Sequence, residues 1–70
     1  MPSSAVRRIE YDDERGTMSV WFEPDGHRYD YFDVPQDIYW AFNTAGSKGR
    51  FFNTRIRDQF EFVEVRERSK

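Results

Sequence analysis

Hydrophobic and polar positions alternate along the first half of this chain and change period in the second. Val6 to Tyr11 is rich in strand-forming residues and stops at Asp12-Asp13-Glu14-Arg15-Gly16, a polar turn closed by glycine. Thr17 to Phe22 alternates cleanly: Met18, Val20 and Phe22 fall on one face of a strand, Ser19 and Trp21 on the other. Glu23-Pro24-Asp25-Gly26 reads as a tight turn, because proline presets φ and glycine accepts the positive φ of a hairpin return. His27 to Phe32 follows as a third strand, with Tyr29 and Tyr31 on one face and Arg28, Asp30 and Phe32 on the other. This pattern predicts an antiparallel meander.

The period then becomes helical. Pro35 opens a helix, since its missing N–H is unpaired in a first turn anyway, and Asp37 complements the helix dipole. Ile38, Ala41, Phe42 and Ala45 form one apolar stripe, and Gly46 closes the helix. Trp40 lies about 200° from Ile38, away from the sheet, where a polar residue is expected. Its expected place is half-buried, with Arg50 or Arg55 lying over the indole as a cation–π pair. A shorter helical segment from about Lys48 to Ile56 presents Phe51, Phe52 and Ile56, flanked by Arg55 and Arg57. Phe60 to Val65 closes as a strand, and residues 66–70 form a charged tail expected to fray. The predicted architecture is α+β: a three-stranded meander, one helix plus a short second helix packed on one sheet face, and a closing C-terminal strand. One domain is expected, over residues 3–65.

Composition sharpens this. Seventy residues leave room for one small core, and the chain has seven Phe, four Tyr and two Trp with which to fill it. Without cysteine there is neither a disulfide framework nor a thiolate zinc site. The absence of a long apolar run or a charged-then-apolar leader gives no sign of a membrane partner and makes a cytoplasmic protein the expectation.

Charge is unevenly spread. From Glu10 to Asp37 nine acids face only Arg15 and Arg28, whereas Gly46 to Arg57 carries Lys48, Arg50, Arg55 and Arg57 with no acid. That segment is the candidate nucleic-acid-binding site: Lys48, Gly49, Arg50, Asn53, Arg55 and Arg57. Its cations attract phosphate, Gly46 and Gly49 free backbone N–H groups to face a guest, and Asn53 caps or braces the turn. The blander alternative is solvated surface charge around a core of Phe51, Phe52 and Ile56, and the overall net charge of −2 leans that way.

Catalytic chemistry finds little support. His27 is the only histidine, at a hairpin return with no recognisable partner. Asp12, Asp13 and Glu14 lack the alternating spacing of a calcium loop. Gly46-Ser47-Lys48-Gly49 lacks the frame of a phosphate loop. No catalytic residue, metal or cofactor is therefore expected. Tyr29 and Tyr31 read either as a base-stacking platform or as core rings under the helix, and their apolar neighbours favour the core. The other sheet face then carries Arg8, Glu10, Ser19, Trp21, Arg28 and Asp30, with opposite charges expected to pair between neighbouring strands. Trp21 there needs a cover: the closing strand, a second copy or a ligand.

The order Ser3-Ser4, Val6, Ile9, Tyr11-Asp12, Tyr29-Asp30-Tyr31, Val34-Pro35, Tyr39 and Ser47-Lys48-Gly49-Arg50-Phe51-Phe52-Asn53 with Ile56-Arg57 resembles the KTSC domain. That family is named for its place at the C-terminus of some lysyl-tRNA synthetases and also occurs as small stand-alone bacterial proteins. The resemblance implies that Tyr29 and Tyr31 are its Tyr-x-Tyr motif, and the synthetase context suggests RNA as partner. The leading functional expectation is a small non-catalytic module binding tRNA or single-stranded RNA. The alternative is a protein-interaction module, or self-association, through Trp21, Trp40 or the acidic hairpins.

Overall fold

The alternation of Met18 and Val20 with polar residues places both under a sheet that runs in chain order. A computed structural model describes residues 5–23 and 26–65. Strands β1 (Val6–Asp12), β2 (Thr17–Phe22), β3 (His27–Tyr31) and β4 (Phe62–Val65) form one sheet in the order β1-β2-β3-β4, every neighbouring pair antiparallel. The expected meander and closing strand are thus one four-stranded sheet, with β4 returning to the free edge of β3. The charged tail, Ser3-Ser4, and Pro24-Asp25 of the second turn lie outside the described residues.

Register explains why both Val6 and Ile9 reach the core side. They are three residues apart, and in a regular strand they would face opposite ways. The pairing jumps between Val6 and Arg8, so Val6 opposes Phe22 while Ile9 opposes Val20. This irregularity inserts one residue and restores the face. Across the sheet, Tyr11, Met18, Tyr31 and Phe62 then form one cross-strand row.

The turns use the residues that tolerate them. Gly16 (φ 66°) donates its N–H to the Asp12 carbonyl at 2.8 Å, and the Asp12 carboxylate accepts the Glu14 N–H at 3.1 Å. Asp33 also sits in the left-handed region, at φ 57°. Its sharp turn brings the next residue back: Val34 N–H donates to the Gly16 carbonyl at 2.9 Å, and the Tyr11 hydroxyl donates to the Val34 carbonyl at 2.6 Å. The first hairpin and the entry to the helix are tied together there, and Val34 is buried.

Helix α1 is Gln36–Asn43, with Pro35 immediately ahead in an extended conformation. It ends earlier than the apolar stripe suggests. Thr44 donates both its N–H (3.0 Å) and its hydroxyl (2.9 Å) to the Trp40 carbonyl, closing the helix before Ala45 and Gly46. Phe42 is buried and Ile38 and Tyr39 are half-buried, but Ala41 is exposed. The buried stripe is therefore 38, 39 and 42. Helix α2 (Lys48–Phe51) runs directly into a π-helical turn, Phe52–Ile56, marked by the Arg57 N–H bond to the Phe52 carbonyl at 2.9 Å.

Phe52 joins these parts. Its ring meets Phe22 at 5.0 Å, Tyr31 at 5.6 Å and Phe42 at 6.3 Å between centroids. Phe52, Tyr31 and Phe42 form the core with Met18, Val20, Val34 and Ile56, and half-buried Phe22 packs against it. Phe52→Ala should destabilise the protein by about 3–5 kcal/mol, the range for deleting a buried aromatic ring. A shift of the urea midpoint worth less than about 1 kcal/mol would remove Phe52 from that role.

Candidate functional site

Burial of Phe52 and Ile56 turns one side of the Lys48–Arg57 segment inward and leaves its cations on the other. The Ser47 hydroxyl accepts the Arg50 N–H at 3.3 Å and so caps the segment's start. Thr54 donates its hydroxyl to the Arg50 carbonyl at 2.9 Å. Gly49 is an ordinary helical residue, and space around Gly46 is open. Asn53 and Arg50 are exposed.

The basic residues of the segment point to different surroundings. The Arg55 guanidinium lies over the Phe51 ring, 5.4 Å from its centroid. Arg57 is near enough to Tyr31 for its charge to act on the phenol. Lys48 is half-buried and lines a depression of about 200 Å³ together with Val6, Arg7, Arg8, Ile9 and Asn43. That meeting of Lys48 with the edge of β1 was not evident from the chain; the guanidinium groups of the strand point elsewhere, Arg8 over Trp21 and Arg7 toward Glu23. The adjacent Arg7-Arg8 pair was the available signal, and it sits just before the acidic stretch that begins at Glu10. Arg7 pairs with Glu23 at 3.8 Å and Arg8 with Glu10, all four side chains being exposed.

Trp40 departs from expectation. It is 61% exposed, and Arg55 covers Phe51 instead. The reason is geometric: α1 meets the basic segment through the stacked Phe42–Phe51 pair (5.6 Å, 14°), and Trp40 is about 200° round the helix from Phe42. Its ring neighbour is Tyr39 (6.3 Å), itself stacked on Tyr11 at 4.8 Å and 10°.

The Tyr-x-Tyr pair faces the core. Tyr31 is 3% exposed, edge-on to Phe52 and 5.3 Å from Phe62, while half-buried Tyr29 meets Phe22 edge-on at 5.6 Å. A ring covered in this way offers no open π-face to a base. Burial pushes the Tyr31 hydroxyl far above the ordinary tyrosine range, neighbouring Tyr29 adds to the shift, and the Arg57 charge opposes it.

The opposite sheet face is closed by its own charges. Arg8, Trp21 and Arg28 are directly opposed on β1, β2 and β3, and both guanidiniums lie over the indole, at 5.1 and 5.3 Å. Glu10, Ser19 and Asp30 form the next row. Asp30 accepts from Ser19 Oγ (2.8 Å) and Arg28 Nε (3.0 Å). Opposite charges therefore pair along strands, two residues apart, and not between neighbouring strands as expected. The register puts the two arginines in one row and the two acids in the other. Trp21 is covered from within the sheet.

The comparisons agree with this architecture. The model of the KTSC domain matches residues 2–60. A solved KTSC domain protein from Yersinia pestis superposes with a TM-score of 0.82 at 32% identity, covering 93% of this chain and 90% of that one. Lysine–tRNA ligases from Nostoc punctiforme and another Nostoc strain are 31% and 29% identical over 62 residues. The match takes in 89% of this chain but only 11% of each ligase.

Tyr31 generates a pH prediction. Below about pH 10 tyrosine is neutral in folded and unfolded chains alike, so Tyr31 contributes no pH dependence. Above that, the unfolded chain loses a proton that the folded one keeps, and stability falls as pH rises. An absorbance titration should show at least one of the four tyrosines resisting ionisation while the protein stays folded, and Tyr31→Phe should remove that resistant component. Ionisation of all four together near pH 10 would contradict the burial.

Proposed function

The chain belongs to the KTSC domain family, and from that premise we propose that it is a small, non-catalytic module that holds an RNA backbone against the cations around Lys48. The observation that carries this reading is the outward face of the Lys48–Arg57 segment: with Phe52 and Ile56 buried, Arg50, Arg55 and Arg57 are exposed, and Lys48 lines a shallow depression beside Asn43. Ammonium, guanidinium and amide groups on one surface suit a phosphate, which accepts hydrogen bonds from each of them.

Arg50, Arg55 and Arg57 extend the positive surface beyond the depression, with Gly49 and Asn53 among them. The acidic first hairpin repels phosphate elsewhere, so charge of both signs orients the approaching strand. Contacts of this kind position a nucleic acid without reading its sequence. An accessory module of that sort is compatible with fusion to a lysine–tRNA ligase, in which it occupies a small fraction of the length.

A second reading, contact with a protein through the sheet edge, rests on Phe62 and Val63 of β4, which are 49% and 48% exposed.

Labelled protein titrated with tRNA and with single-stranded RNA at low salt separates the two. Amide shifts should centre on Arg7, Arg8, Asn43 and Lys48. Lys48→Glu should weaken binding by about tenfold or more, as expected when a charge-assisted contact is replaced by repulsion. It should also lower the salt slope by about 1. Shifts confined to β4, or none with either RNA, would overturn the reading.

A further inference from the structure

We propose that Trp40 is a stacking platform for an unpaired base, so that the ligand of this face is a single RNA strand and not a duplex. The inference rests on the backbone-binding reading and adds the substrate class to it.

Trp40 is the most exposed large hydrophobic residue among those described, on a helix face otherwise made of polar or small residues: Gln36, Asp37, Ala41, Asn43 and Thr44 are exposed too. An indole so exposed adds little to the core, yet the backbone that carries it is well tied down. Its neighbour Tyr39 stacks on Tyr11, whose hydroxyl is bonded to the Val34 carbonyl at 2.6 Å. The Trp40 carbonyl accepts two bonds from Thr44. The backbone that carries the ring is therefore anchored before any ligand arrives, and little further ordering of the helix is required on binding.

Its position supplies the second half. Asn43 follows Trp40 by three residues, one helical turn away on the same side, and Asn43 lines the depression that also takes in Lys48, the first residue of the basic segment. An aromatic face and a cationic segment thus adjoin along α1, the pairing by which proteins hold single strands: bases stack while the backbone tracks the charge. Asp37, one turn on the other side of Trp40, is exposed and would repel phosphate, so the strand runs from Trp40 toward Lys48. A duplex cannot use this arrangement. Its bases are already stacked, and an A-form helix offers a side chain only groove edges and backbone. The other indole, Trp21, is half-buried and already engaged by two arginines of its own sheet, which leaves Trp40 as the available platform.

The test uses Trp21→Phe as background, so that emission reports Trp40 alone. The probes are an oligouridine of about ten nucleotides, its duplex with oligoadenosine, and an abasic oligomer of equal charge. Oligouridine should quench Trp40; the duplex and the abasic oligomer should not. Trp40→Ala should weaken oligouridine binding about tenfold with the salt slope unchanged, because no phosphate contact is lost, and Trp40→Phe should restore most of it. Affinity for the abasic oligomer should not respond to Trp40→Ala. Binding that needs Lys48 but ignores Trp40, or a duplex bound as tightly as the single strand, would overturn the stacking proposal and leave the backbone reading standing. No binding by any probe would end both. Self-association in sedimentation that Trp40→Ala abolishes, with RNA affinity untouched, would assign the ring to a protein contact and overturn the proposal.

Discussion

The insertion of one ring, Phe52, between sheet and helix organises this small protein. A seventy-residue chain without cysteine has neither a large core nor a covalent staple to fall back on. Phe52 touches a ring on β2, one on β3 and one on α1, so a single side chain couples three elements that are distant in sequence. It stands where α-helical geometry changes to π. The wider turn that follows carries Ile56 back into the core, and the bond from the Arg57 N–H to the Phe52 carbonyl holds it there. π turns of this kind often accompany functional segments. Here the consequence is simple: with Phe52 and Ile56 inside, Arg50, Asn53 and Arg55 have to face water.

The same core decides what the Tyr29-Asp30-Tyr31 pattern is for in this chain. Tyr31 packs against Phe52 and is sealed by it, so its hydroxyl stays protonated and its ring is unavailable to a ligand. The outer sheet face is closed by a different device. Two arginines flank Trp21 and each is neutralised by an acid two residues along its own strand, which leaves that face without net charge in its central rows. Both obvious aromatic features, the tyrosine pair and the sheet tryptophan, are thereby occupied within the fold. The helix side differs: there Trp40 is exposed, and the depression lined by Lys48 lies beside it.

Much of the fold was legible in the chain because strand periodicity is a local property. Met18 and Val20 alternate with polar residues, turns fall at Gly16 and Gly26, and the return strand pairs where a closing strand can. What was not legible depends on contacts that no local pattern encodes. The end of α1 is set by the Thr44 hydroxyl competing for a carbonyl, not by Gly46. The edge of β1 from Val6 to Ile9 meets Lys48 and Asn43 at one depression, across elements some forty residues apart. That Arg55 lies over Phe51 and not over Trp40 follows from the Phe42–Phe51 stack, a tertiary contact that fixes which side of α1 the basic segment approaches. The face of each strand could be deduced; the partner of each charge could not.

If the core presents the helix side to RNA, then contact should be confined to that side, and crosslinking reads this directly. Irradiation of the wild-type protein with a 4-thiouridine oligomer, followed by peptide mapping, should give adducts in the stretches containing Trp40 to Lys48 and Arg7-Arg8. Adducts concentrated at Trp21 and Asp30, or along Phe62 to Val65, with the helix side unmarked, would contradict the account.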